Sequence, residues 1–123
     1  MSRQKILVVE DETSLNSAYE TLLEKTGFDV RVAFDGQEAL KVLENFNPEI
    51  ILLDLKMPKM DGIGFLKEYK KLKLKKRSKV ILFSNYDLQN EIDEAFTLGA
   101  DKYVLKAWAS PKDLLKIIEE ITN

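Results

Sequence analysis

The chain has 123 residues, 45% hydrophobic and 33% charged, with a formal net charge of −2. This balance suits one folded core and excludes a disordered or coiled-coil chain. It holds neither cysteine nor histidine, which removes disulfides, thiolate chemistry, histidine bases and the usual zinc ligands and leaves carboxylates, lysines, hydroxyls and backbone groups.

Taken in order, the first element is an apolar run, Ile6 to Val9, with the length and composition of a buried strand. Three acids follow it at once: Glu10, Asp11 and Glu12. Helical spacing predicts a helix near Ser14 to Thr26, with Leu15, Ala18, Tyr19, Leu22 and Leu23 as its apolar stripe and Gly27 as its stop. Asp29 to Phe34 alternates in hydropathy, as an edge strand does. Asp35, with Glu38 three residues on, resembles a capping box opening the helix "GQEALKVLENF".

Ile50 to Leu53 is a second continuous apolar run, and it ends on Asp54, with Pro58 stiffening the chain beyond. A third helix is expected over Gly62 to Leu72, where Gly62 lets the chain turn into it. Val80 to Phe83 is another strand, ending on Ser84. Asp87 is the expected cap of a helix near Leu88 to Leu98, with Gly99 as its terminator. Tyr103 to Leu105 is a last strand, flanked by Lys102 and Lys106. The last helix opens on Ser110 as cap, Pro111 at its first position and Asp113 closing the box.

Strand and helix therefore alternate five times with no linker between them. The pattern predicts one domain over residues 1–123. Its fold class is α/β: a single doubly wound, flavodoxin-like, five-stranded parallel sheet with five helices. The continuous runs suit central strands. The second and fifth segments suit edges, which matches the order 2-1-3-4-5. In that order ligands bind beyond the carboxyl ends of the first and third strands.

Those ends carry Glu10, Asp11, Glu12 and Asp54. Carboxylates so close repel and raise one another's pKa values unless a cation sits among them, and magnesium suits a site of few carboxylates with room for a phosphate oxygen. Ser84 and Lys106 end the fourth and fifth strands on the same rim. Carboxylate, hard cation, hydroxyl and lysine are together the parts for phosphoryl transfer, with a carboxylate as acceptor.

Glu10-Asp11 after a short strand, "DLKMPKMDG" from Asp54, Ser84 after "VILF" and "YVLK" ending at Lys106 resemble the receiver domain of two-component response regulators (CheY-like) across nearly the whole chain. The resemblance implies that Asp54 is the phosphoacceptor. Asp11 would bind Mg2+ directly, Glu10 through water or at the site's edge, and Lys56 through its main-chain carbonyl. Ser84 would bind a phosphoryl oxygen and move on phosphorylation, and Lys106 would pair with the phosphoryl group, or with Asp54 when it is empty. Tyr103 would be the switch aromatic, or simply packing. The output face would be the fourth helix, fifth strand and fifth helix. The donor would be a sensor histidine kinase, a phosphotransfer protein or a small acyl phosphate, and the downstream protein is open, as is a phosphorylation-dependent homodimer.

Two positions depart from the family's pattern. Ala107 stands where proline usually follows the lysine through a cis bond, and a cis Lys106–Ala107 bond is the weak expectation. Asn85 stands where a small residue is usual, and it is expected to narrow access to the phosphoryl group. Trp108 follows in the same loop, as core packing or a partner anchor.

The segment Lys67 to Lys79 holds eight basic residues and one acid, leaving 11 basic and 20 acidic residues elsewhere. With one interleaved aromatic, Tyr69, this band suits a solvated lysine face, or contact with an acidic partner, better than nucleic-acid binding. No apolar run has the roughly 20 residues of a membrane span, and no signal-peptide pattern opens the chain, so a cytoplasmic module is expected. The chain ends just after its last helix, so no effector domain is expected within it. It reads as a phosphoacceptor rather than an enzyme with an outside substrate. The alternatives are an unphosphorylated receiver-like scaffold and, less well matched because Lys56 stands where a second aspartate is usual, a magnesium-dependent phosphatase.

Overall fold

A computed structural model describes residues 4–74, 76–85, 88–106 and 110–122. The expected Asp87 cap, the Lys106–Ala107 bond and Trp108 lie outside these described residues. Strand and helix alternate as β1 (Lys5–Val9), α1 (Thr13–Thr26), β2 (Asp29–Ala33), α2 (Gly36–Val42), β3 (Ile50–Leu53), α3 (Gly62–Lys71), β4 (Lys79–Ser84), α4 (Gln89–Thr97), β5 (Lys102–Leu105) and α5 (Pro111–Thr122). The five strands form one sheet in the order β2-β1-β3-β4-β5, all pairs parallel. The doubly wound order read from the strand composition is the observed one.

Side chains alternate across a strand, so each central strand feeds two cores. Leu7, Val9, Ile51, Leu53, Val80 and Leu82 pack with α2, α3 and α4 on one face. Ile6, Val8, Ile50, Leu52, Ile81 and Phe83 pack with α1 and α5 on the other. This double burial explains why β1, β3 and β4 read as unbroken apolar runs.

Most helix signals act as expected. Asp35 accepts from the Glu38 backbone N–H at 2.9 Å, and Gly27 closes α1 in the left-handed region at φ 111°. At α5 the Ser110 N–H donates to Asp113 Oδ2 at 2.8 Å and the Asp113 N–H to Ser110 Oγ at 3.2 Å, a reciprocal box. Asp61, not singled out from sequence, caps α3 through the Gly64 N–H at 2.8 Å.

Two expectations shift. Helix α2 stops at Val42, well short of Phe46; Asn45 and the Asn47–Pro48 pair ahead disfavour helix. The buried stripe of α1 is Asn16, Tyr19 and Leu23, rotated from the expected one. Leu15 and Leu22 are only half-buried and Ala18 is exposed. Together with Tyr19, Asn85, Lys106 and Pro111 they border a groove of about 460 Å³ beside α1.

The basic band wraps the end of α3. Arg77 donates to the carbonyls of Tyr69, Lys70 and Leu72, capping the helix, and its guanidinium lies 5.0 Å from the Tyr69 ring centroid. Lys67 and Lys71 reach Glu94 and Glu68. Much of the band is thus structural or solvated.

Candidate functional site

Strands β1 and β3 run side by side, with Val9 opposite Leu53. Each continues its pairing one residue further, on a different neighbour: the Glu10 N–H donates to Ala33 O of β2 at 3.0 Å, and the Asp54 N–H to Val9 O of β1 at 3.1 Å. That extra rung plants two acids at the sheet edge. Glu10 is 3% and Asp54 7% exposed, while Asp11 beside them is open to solvent. Carboxylate oxygens of Glu10, Asp11 and Asp54 all lie within 4.8 Å of one another.

Lys106 arrives from the end of β5 with its side chain 7% exposed. Its ammonium pairs closely with Glu10 Oε1 and stands 3.3 Å from Asp54 Oδ2. The Glu12 N–H donates to the other Glu10 oxygen at 3.0 Å. Burial pushes the Glu10 carboxyl above its ordinary value; Lys106 and the Glu12 N–H oppose this, and Asp54 adds to it. The expected mutual raising by neighbouring carboxylates is present, through Asp54, but it is not the leading cause at Glu10. Desolvation leads, because Glu10 lies under the sheet edge rather than in open water. Tyr19, which stacks edge-on against Phe83 at 5.3 Å, is also pushed upward, first by burial and then by the acids of the site.

The loop from β3 to α3 is built tightly. Gly62 is needed for close approach rather than for turning: a Cβ there would stand 2.6 Å from the Asp54 carbonyl oxygen. The Pro58 carbonyl accepts from the Met60 N–H at 2.7 Å across Lys59, which sits at φ 63°. This three-residue turn carries a conformation that is uncommon for a non-glycine residue. The Lys56 N–H reaches Asp54 Oδ1 at 3.4 Å. Its side chain crosses to Glu91 in the first turn of α4, at 2.5 Å.

On the opposite rim, Ser84 is fully buried and pairs in register with Leu105. Tyr103 is half-buried and packs on the core beneath α3 and α4. Exposed Asn85 lines both the crevice of about 370 Å³ holding Glu10, Asp11, Asp54, Lys56 and Lys106, and the apolar groove beside it. Three residues of the site escaped the sequence reading. In the sequence Tyr19 reads only as part of the apolar stripe of the first helix. Glu91 gives no local signal. Asn16 is 1% exposed, and its Nδ2 donates to the carbonyls of Glu10 at 2.9 Å and Ala33 at 3.1 Å. A polar residue three and seven positions before Tyr19 and Leu23 was the available clue.

Fold and crevice define a class: a doubly wound α/β domain whose switch point holds clustered carboxylates and one buried lysine. The chain belongs to the response regulator receiver domain family, whose family model matches residues 6–119. It is 40% identical over 116 residues to a probable transcriptional regulator, ycf27, of Porphyridium aerugineum, covering 93% of this chain and 46% of that protein. It is 38% identical over 111 residues to the alkaline phosphatase synthesis transcriptional regulatory protein PhoP of Bacillus subtilis (strain 168), covering 90% and 45%. The chain thus spans a little under half the length of these curated relatives. A CheY-like receiver domain protein from Methanospirillum hungatei JF-1 superposes with a TM-score of 0.89 at 32% identity, covering 98% of this chain and 94% of that one. Receiver domains are the phosphoacceptor modules of two-component signalling, and this chain is a signalling module of that kind. Among the described residues, no helix is long and apolar enough to cross a membrane.

Proposed function

We propose that the whole chain, residues 1–123, is one receiver domain that accepts a phosphoryl group on Asp54. The observation that carries this reading is the placement of a buried Asp54 carboxylate 3.3 Å from the Lys106 ammonium, beside the carboxylates of Glu10 and Asp11. One Asp54 oxygen attacks phosphorus as the bond to the donor breaks, so the donor leaves as a neutral imidazole with a proton, or as acetate. The chain holds no histidine, so a phosphohistidine donor is a separate sensor kinase or phosphotransfer protein.

The donor set fits a hard divalent cation: Asp11 and Asp54 as direct ligands, the Lys56 carbonyl as a third, and Glu10 at the edge. Magnesium, when bound, neutralises charge on the phosphoryl oxygens. Lys106 holds one phosphoryl oxygen and Ser84 another. Movement of Ser84 with Tyr103 then biases the face formed by α4, β5 and α5 between two conformations. That face binds the downstream protein or a second copy of the chain. The apolar groove shares Asn85 and Lys106 with the acidic crevice. It gives a phosphohistidine-bearing helix a surface of approach. Asn85 narrows that approach and slows water attack. The module works in the cytoplasm and is itself modified, one phosphoryl group per chain, rather than turning over an outside substrate. The transcriptional roles of the relatives belong to proteins about twice as long, and output here is proposed only as far as the switching face.

The test is intact mass after incubation with magnesium and acetyl phosphate. One phosphate per chain, absent in Asp54→Ala, is the expected result. No adduct from a small donor or a kinase returns the chain to the scaffold reading; continuous phosphate release makes it an enzyme. Leu22→Glu should cut transfer from a kinase while leaving acetyl phosphate uptake intact, and equal loss with both donors removes the groove from the account.

A further inference from the structure

We propose that Asn16 is a positioning residue for the cation site, fixing the turn that presents Asp11 and so setting affinity for a divalent cation. The inference rests on the receiver reading and goes beyond it, since Asn16 touches neither phosphoryl group nor metal. The β1–β2 ladder ends with the Glu10 N–H donating to Ala33 O. Beyond that rung the Glu10 carbonyl turns to Asn16 Nδ2, which also holds the Ala33 carbonyl. One amide therefore pins the Glu10–Asp11 peptide to the end of β2.

The same turn is tied twice more. The Asn16 N–H donates to Glu12 O at 2.9 Å, and the Glu12 N–H donates to Glu10 Oε2 at 3.0 Å. Asp11 stands in the middle of this knot, exposed. Its carboxylate is aimed by the backbone, and Asn16 aims the backbone.

The other end of the amide strengthens the case. Asn16 Oδ1 is buried and has no hydrogen-bond partner among the described residues. Buried polar atoms are normally satisfied. What Asn16 contributes in this buried place is therefore its two donated bonds. Leucine would fill the same space but leave the Glu10 carbonyl without its donor, while the Ala33 carbonyl would keep only the Glu10 N–H. Serine would leave room for a water between them.

The experiment is calorimetric magnesium titration of the unphosphorylated protein. Outer supports of metal ligands typically change affinity by about 10–100-fold. Asn16→Leu should weaken magnesium binding by about tenfold or more, and Asn16→Ser by less. In acetyl phosphate assays the magnesium concentration for half-maximal rate should rise in step, while the rate at saturating magnesium returns close to the parent's. A lower melting temperature with an unchanged dissociation constant in either variant makes Asn16 merely structural and overturns the inference. If Asn16→Leu does not fold, Asn16→Ser decides alone. If the parent binds no magnesium, the receiver reading itself fails, and this inference with it.

Discussion

The two ends of the sheet are both polar and both largely buried, yet they are built in opposite ways. At the amino end of β4, the Ser78 N–H donates to Tyr69 Oη at 2.8 Å and Ser78 Oγ to Pro48 O at 2.7 Å. The Val80 N–H donates to Asp101 Oδ2 at 2.8 Å, and Arg77 closes three carbonyls of α3. Donors there meet acceptors with little charge in deep burial. At the carboxyl end two buried carboxylates, Glu10 and Asp54, share one ammonium, and a buried amide oxygen goes unpartnered. One end locks the fold. The other is under-neutralised, and its deficit is what a cation and an anion arriving together can fill.

The sharpest break of this comparison is Lys106→Met. Removing one partner of a buried ion pair costs roughly 3–5 kcal/mol, and here two acids would be left facing each other. Denaturant unfolding should register that loss, and added magnesium should restore part of it. A stability within the error of the parent's would mean the carboxyl end is better solvated than its geometry implies. Tyr69→Phe tests the other end. It leaves the buried Ser78 N–H without its acceptor, which costs about 1–3 kcal/mol. Magnesium affinity and phosphate uptake should not move; a change in either would erase the division of labour.

The contrast also explains what could be read beforehand. The strands were legible because burial on both faces removes polar residues from β1, β3 and β4. The acids were legible because each stands one residue past a strand, where the parallel order brings them together. The pairing of Lys106 with Asp54 was among the expectations, but its closer pairing with Glu10 was not, since side-chain reach across β5 to β1 is set by tertiary distance. Asn16 was hidden by the rotation of α1, which swapped Leu15 and Leu22 for a polar residue on the inner face. Gly62 was noticed for the wrong reason. A glycine opening a helix looks like a turn device, and only the packed backbone reveals the Asp54 carbonyl beside it.

A smaller effect belongs to the link between the acidic end and α4. Lys56 and Glu91 pair at 2.5 Å with side chains 41% and 32% exposed. An ion pair this open contributes about 0–1 kcal/mol. A double-mutant cycle of Lys56→Met and Glu91→Gln should return a coupling in that range on unfolding. The same cycle on acetyl phosphate uptake should show non-additive rates, because Lys56 lines the crevice. Additive rates would confine the pair to surface decoration.

The smallest effect lies furthest from the charge imbalance, in the capping box of α5. Asp113 is held below its ordinary value of 3.8 by the Ser110 N–H, then by the Ser110 hydroxyl. A carboxyl depressed in the folded state adds stability above its unfolded pKa and loses it as pH falls through the folded one. Asp113→Asn should therefore lower the melting temperature slightly at neutral pH. The gap from the parent should narrow as the pH drops below 3.8. Glu10 has the opposite sign. Its raised pKa makes its contribution most favourable below 4.5, and that contribution fades as pH rises through the raised value. Melting curves across acid pH for the parent and Asp113→Asn separate the two groups. A gap that stays constant with pH would show that the box holds through the Ser110 hydroxyl and backbone rather than through the Asp113 charge.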